Sequence, residues 1–187
     1  MKKLKNLLLV AMLGVCAQAY AGPTLSVTGA ADPVLVGSSG GLDVIIDGIT
    51  DLYSYQFSLN FDASVLKITG ISEGAFLGTA GATFGDVGTL DNSAGTLSFV
   101  FNTLLGPTPG ASGSGNLLHL LFETVGTGTS VLSFSDVLFV DSALVDIDVA
   151  VQAGAVQAVP EPATLLLLAA GLVGVGAMRR RQPDARA

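Results

Sequence analysis

The side chains in residues 22–158 that could carry chemistry are eleven aspartates, two glutamates, one lysine and one histidine. The acids fall into local pairs: Asp47 and Asp51, Asp86 and Asp91, Asp146 and Asp148. A glycoside hydrolase needs two carboxyls facing each other across a sugar, one of them in an apolar setting that raises its pKa. Here at least one member of each pair sits beside a turn or on a polar strand face, where solvated carboxylates are normal. Oxygen-rich groups such as Asp86, Asp91 and Asn92, or Asp47 and Asp51, are weak candidates to ligate calcium. The chain lacks the D-x-[DN]-x-[DN]-G loop with its distal glutamate, so no cofactor is expected. A melting shift with calcium, reversed by chelator, is the check.

His119 has no cysteine to partner it and no metal-ligand spacing around it, so an imidazole packed at the surface is expected. No G-x-S-x-G, P-loop or dinucleotide fingerprint is present. These residues predict a non-enzyme. With thirteen carboxylates against Lys67, the net charge of residues 22–158 is −12. Such a surface cannot neutralise phosphates, which excludes nucleic acid as a partner and disfavours anionic lipid headgroups.

The elements that would position these groups lie between two atypical ends. Met1–Ala21 has a basic start, a nine-residue apolar run from Leu7 to Val15 and the small-residue pattern Ala19-Tyr20-Ala21. That is the pattern of a signal peptide removed by signal peptidase after Ala21. Lipidation at Cys16 is the competing reading, against which bulky Val15 speaks. Cys16 is the only cysteine and leaves with the leader, so the exported domain has no disulfide and must be held by its core.

The central region alternates with period two. In YSYQFSLNF, Tyr53, Tyr55, Phe57, Leu59 and Phe61 share one face, and Ser54, Gln56, Ser58 and Asn60 share the other. Leu42, Val44 and Ile46 oppose Asp43 and Asp47. Leu97, Phe99 and Phe101 oppose Thr96, Ser98 and Asn102, and Val145, Ile147 and Val149 oppose Asp146 and Asp148. In Asn116–Thr124 apolar residues occupy both faces, which suits a central strand covered on both sides for part of its course. Gly-, Ser-, Asn- and Pro-rich turns separate the runs. The expectation is an all-β antiparallel β-sandwich over residues 22–158, with about nine strands. The row Ser54, Gln56, Ser58 and Asn60 is the candidate ligand face, since hydroxyl and amide groups on a flat sheet can bond sugar hydroxyls or a protein surface.

The order of features, LDVIIDGITDLYSYQFSLNFDASVLKITGISEGAFL, then TLSFVFN, then LLHLLFETVGTGTSVLSFSDVLFVD, resembles the cohesin-like domain over about residues 24–157. The resemblance implies a jelly-roll-type sandwich of about nine strands related to carbohydrate-binding modules. Cohesins of cellulosomes bind dockerins through a sheet face, but no contact residues can be carried over one by one.

The chain ends in VPEPATLLLLAAGLVGVGAMRRRQ and five further residues. Pro160 and Pro162 keep the Pro160-Glu161-Pro162 step extended. The sixteen uncharged residues Ala163–Met178 span roughly 24 Å as a helix, short of a hydrocarbon core of about 30 Å. Arg179, Arg180 and Arg181 would hold the C-terminus on the cytoplasmic side as a membrane stop. Residues 159–187 resemble the PEP-CTERM sorting signal. That implies a transient transmembrane helix at about 163–178, cutting by an exosortase near the Pro-Glu-Pro step, and delivery to the surface or beyond. A retained C-terminal anchor is the other reading.

Together these features predict an exported, non-catalytic binding or adhesion module in an exopolysaccharide or biofilm setting, with a polysaccharide or surface protein as ligand. The alternative is a purely structural, acidic matrix constituent.

Overall fold

The strands expected at residues 42–47 and 53–61 are one continuous strand of 22 residues, Ser39–Asn60. The computed structural model describes residues 22–29, 33–161 and 171–172. In chain order its strands are β1 (Thr24–Thr28), β2 (Val34–Leu35), β3 (Ser39–Asn60), β4 (Leu66–Glu73), β5 (Thr83–Asp86), β6 (Thr89–Asp91), β7 (Thr96–Leu104), β8 (Ala111–Thr124), β9 (Gly128–Asp141), β10 (Ala150–Val151) and β11 (Gly154–Val159). One 3-10 turn lies at Leu77–Thr79.

β3 belongs to both layers. Its first half runs between β1 and β8, with β10 beyond β1 and β4 beyond β8. Its second half runs between β7 and β9, flanked further out by β5 and β6 on one side and by β11 and β2 on the other. The crossing between layers falls at Gly48 (φ 69°) and Asp51 (φ 58°), where the β3–β8 register shifts twice. Fusing two expected strands while adding short edge pieces is why eleven segments appear where nine strands are expected.

The two inner faces meet in a single core. Leu25, Leu42, Val44, Ile46 and Leu120 from the first layer pack against Tyr55, Phe57, Leu59, Val100 and Phe139 from the second. Tyr55 stacks on Phe57 and on Phe139, both at 5.9 Å between ring centres, and Phe134 meets Phe57 edge-on at 5.6 Å. Tyr55 also ties the layers together, because its hydroxyl donates to the Leu117 carbonyl at 3.0 Å. Burial pushes its phenol far above the ordinary value.

Three alternating patterns are corrected by the register. In β7, Phe99 adopts φ 58° and forms a bulge, so Leu97, Val100, Asn102 and Leu104 face the core while Phe99 and Phe101 face out. In β8, the pairing shifts at Leu117, so consecutive Leu117 and Leu118 are both buried and Leu121 is exposed. Residues 145–149 are not a strand: one bridge, Val140 to Asp146, and the Ile147 N–H donating to the Phe139 carbonyl at 2.8 Å hold them along β9. Val145 is exposed, and Ile147 and Val149 are half-buried.

The signal segment lies outside the described residues. So does nearly all of the expected transmembrane helix with Pro162 and Arg179–Arg181; Gly171 and Leu172 are described and helical. Among the described residues no helix is long and apolar enough to cross a membrane.

Candidate functional site

The outer face of the second layer is built on the second half of β3. Cross-strand pairing sets Thr103, Ser54 and Val140 in one row and Phe101, Gln56 and Leu138 in the next. Thr96, Asn60 and Ser133 form a row at the far end. Between them, Ser58 is flanked by two bulges whose residues have positive φ, Phe99 on β7 and Asp136 on β9. Phe84 on β5 pairs with Thr103 and lies 6.1 Å from the Phe101 ring. Phe84 and Phe99 are each 62% exposed, Val131 is 55% exposed and Leu138 45%.

The candidate ligand row is therefore not a free strip of polar groups. Ser58 is buried, and its Oγ accepts the Phe99 N–H at 3.2 Å, capping the bulge. Ser54 Oγ donates to the Asn102 carbonyl at 3.0 Å. Asn60 Nδ2 donates to Ser135 Oγ at 3.3 Å. Gln56 is half-buried between Phe101 and Leu138, and its amide makes no hydrogen bond among the described residues. Three of the four side chains in the row bond within the sheet.

Phe99 is the informative residue. A bulky side chain at positive φ costs roughly 1–2 kcal/mol, and such strain persists where the surroundings over-determine it and tends to cluster at functional surfaces. Here the bulge turns an aromatic ring, which strict alternation would bury, out to solvent. The sequence shows no glycine or asparagine at that position to signal the bulge.

Several of the other polar side chains serve the loops. Asp86 Oδ1 accepts the Gly88 N–H at 2.7 Å, and Asp91 Oδ1 accepts from Ser93 and Ala94 at 2.8 and 3.0 Å. Asn92 clasps the Ile68 backbone through both amide atoms, each at 2.9 Å. Asp47 bonds the Ser114 hydroxyl. Among the described residues no three His, Cys, Asp or Glu side chains gather as a metal-holding group. Buried Asn102, on the core side of β7, donates to Glu73 and accepts the Thr103 N–H at 2.8 Å. The bulge at Phe99, three residues earlier, turns it inward.

His119 is not merely packed. Its Nδ1 lies 2.6 Å from Asp43 Oδ1, which also accepts from Asn116 Nδ2 at 2.6 Å. The β3–β8–β4 pairing lines up Asp43, His119 and Ser72 across three strands. The ring leans over Gly41, where an added Cβ would stand 3.2 Å from its Cε1, and no hydrogen bond joins it to Ser72. A nucleophilic relay needs the base in contact with the hydroxyl; this row lacks that contact.

At one end of the sandwich a cleft of about 560 Å³ is lined by Asp51, Tyr53, Pro107, Thr108, Ser142 and Leu144. Asp51 stitches its walls: its carboxylate accepts from Ser142 Oγ and from the Gly110 N–H, both at 2.6 Å. The Ser142 hydroxyl, and after it the Gly110 N–H, hold the Asp51 carboxyl below its ordinary value of 3.8. The Ser64 hydroxyl and N–H do the same for Asp62. A carboxylate depressed in the folded state contributes stability that is present above the unfolded pKa and lost as pH falls through the folded value. Asp51→Asn is accordingly expected to lower the melting temperature at neutral pH, with the gap to the parent narrowing below about pH 4. A gap that stays constant down to acid pH would contradict this role.

The sandwich thus carries exposed aromatic rings on an outer sheet face, while Asp51, Asp62, Asp86, Asp91 and Asp141 are tied into loops and turns. The chain belongs to the cohesin-domain family, whose model matches residues 23–158, and a PEP-CTERM protein-sorting motif matches residues 158–181. Cohesin domains are non-catalytic protein-binding modules, and the sorting motif marks an exported, exosortase-processed chain.

Solved structures share the fold. A non-cellulosomal cohesin from the hyperthermophilic archaeon Archaeoglobus fulgidus is 17% identical with TM-score 0.58, over 74% of this chain and 92% of that one. The sixth cohesin of scaffoldin B from Acetivibrio cellulolyticus, solved with a mutant dockerin, is 22% identical with TM-score 0.59, over 74% and 100%. A cohesin module from a family 33 glycoside hydrolase of Clostridium perfringens is 17% identical with TM-score 0.57, over 74% and 98%. A comparison with curated proteins finds no match.

Proposed function

We propose that this chain is exported, cut near Pro160-Glu161-Pro162 by an exosortase, and left outside the inner membrane as a module that binds another protein through the outer face of β5, β7, β3 and β9. The observation that carries the reading is Phe99, held at positive φ so that its ring is exposed on the sheet that also bears exposed Phe84 and Leu138 and half-buried Phe101. Aromatic side chains are enriched at the cores of protein interfaces, and a group of exposed apolar side chains on one face marks an interaction site. A dockerin-like partner is the first to try, since one similar cohesin was solved with a dockerin.

A protein ligand is favoured over a polysaccharide because Ser54, Ser58 and Asn60, whose groups would meet sugar hydroxyls, are bonded within the sheet. A biofilm or matrix setting agrees with export and acidity but adds no contact of its own. Immobilised domain, challenged with dockerins, with envelope proteins and with a glycan array, is expected to give saturable protein binding. Saturable glycan binding alone would overturn the proposal, and binding nothing would favour a structural matrix role. For the tail, mass spectrometry of the native protein is expected to find a C-terminus near residue 162 only where an exosortase is present. A product still ending at Ala187 in its presence would reject sorting by cleavage.

A further inference from the structure

The sandwich family match ends, and the sorting motif begins, at residue 158, inside β11. Ala158 is buried there, paired with Gly128 of β9 on one side and with Val34 of β2 on the other. The Val159 carbonyl accepts the Val36 N–H at 3.0 Å. The turn that supplies this clamp is itself fastened. Thr124 Oγ1 donates to the Leu35 carbonyl at 2.7 Å, and the Gly37 N–H donates to the Thr124 carbonyl at 2.8 Å.

Pro160 and Glu161 are the first exposed residues past this clamp. Only Pro160, Glu161 and Pro162 separate the bonded Val159 carbonyl from the apolar run that starts at Ala163. Three residues reach at most about 10 Å. An endoprotease binds several residues around the scissile bond in extended form, and backbone already paired in a sheet is closed to it. On the N-terminal side of the step, the β11 ladder limits access.

We propose that the folded sandwich withholds the Pro160-Glu161-Pro162 step from the processing enzyme, and that cutting requires Ala158–Val159 to peel away from β2 and β9. This rests on the reading of the tail as a cleaved sorting signal. Access, rather than the bond chemistry, is what β11 controls. When opening and closing are fast, the rate of release follows the population of the opened end. A chain whose β11 has not yet paired is cut at once, and a folded one is released slowly.

The test uses the full chain expressed with its exosortase, followed by pulse-chase and mass spectrometry of the released C-terminus. One variant carries a flexible Gly/Ser linker between Val159 and Pro160, outside the fold. A second, Val156→Ala, trims a fully buried β11 side chain. The linker is expected to speed release about tenfold or more, and Val156→Ala to speed it severalfold in the parent while leaving the linker chain unchanged. Equal rates for parent and linker chains would overturn the proposal, as would Val156→Ala accelerating both to the same degree. Absence of cutting in every chain would instead overturn the sorting reading itself.

Discussion

Phe57→Ala is expected to lower the melting temperature by about 10–20 °C. Phe57 is completely buried and lies between the Tyr55 ring and the edge-on Phe134 ring. It sits in the second half of β3, the strand shared by both layers, so a void there removes contacts from each inner face. Truncating a buried phenylalanine costs about 3–5 kcal/mol, lost burial and residual cavity together. A domain of this size has a total stability of only about 5–15 kcal/mol, and each kcal/mol shifts the midpoint by a few degrees. Phe84→Ala is the control: its ring is largely in solvent and the change should fall within about 0.5 kcal/mol of the parent. Similar losses for both variants in a thermal melt would mean that the aromatic stack does not organise the core.

Phe99→Gly is expected to do the reverse, leaving stability almost untouched while weakening partner binding about 30-fold or more. Glycine accepts φ 58° without strain, which recovers roughly 1 kcal/mol. Its greater freedom in the unfolded chain offsets a similar amount. Binding loses a largely exposed ring, and truncating an aromatic at the centre of an interface typically costs about 2 kcal/mol or more. Gln56→Ala, between Phe101 and Leu138, should weaken binding less, because the lost group is one amide. Calorimetric titration of the captured protein against parent and variants reads both effects. Unchanged affinity for Phe99→Gly would remove this face from the interface.

Much of the fold follows from local pattern. The alternation Tyr53, Tyr55, Phe57, Leu59, Phe61 defines an inward face, and all of these but Tyr53 are buried. Gly-rich turns mark where the chain reverses, and the Pro-Glu-Pro step with its apolar run and arginines spells out a sorting motif in linear order. These features are legible because each depends on neighbours in the chain. The bulges do not. Phe99 and Asp136 change the phase of β7 and β9 on either side of Ser58; aspartate tolerates positive φ, but phenylalanine gives no sign of it. Reading through them inverts the faces of Phe99, Phe101 and Asn102, and it leaves Ser58 on the surface when it is buried.

The sequence by itself determined an exported, acidic, all-β domain with a sorting tail, because composition, period and motif order are properties of the chain read in one dimension. Tertiary structure alone decided which side chains that domain shows. The exposed aromatic patch depends on two bulges held by partners 41 residues apart or more in the chain, such as Ser58 with Phe99. The Asp43–His119 pair depends on the β3–β8 register, and the closeness of the tail to the fold depends on β11 clasping β2. Register is set by which faces bury together across the whole sheet, and a shift of one residue turns every later side chain to the other side.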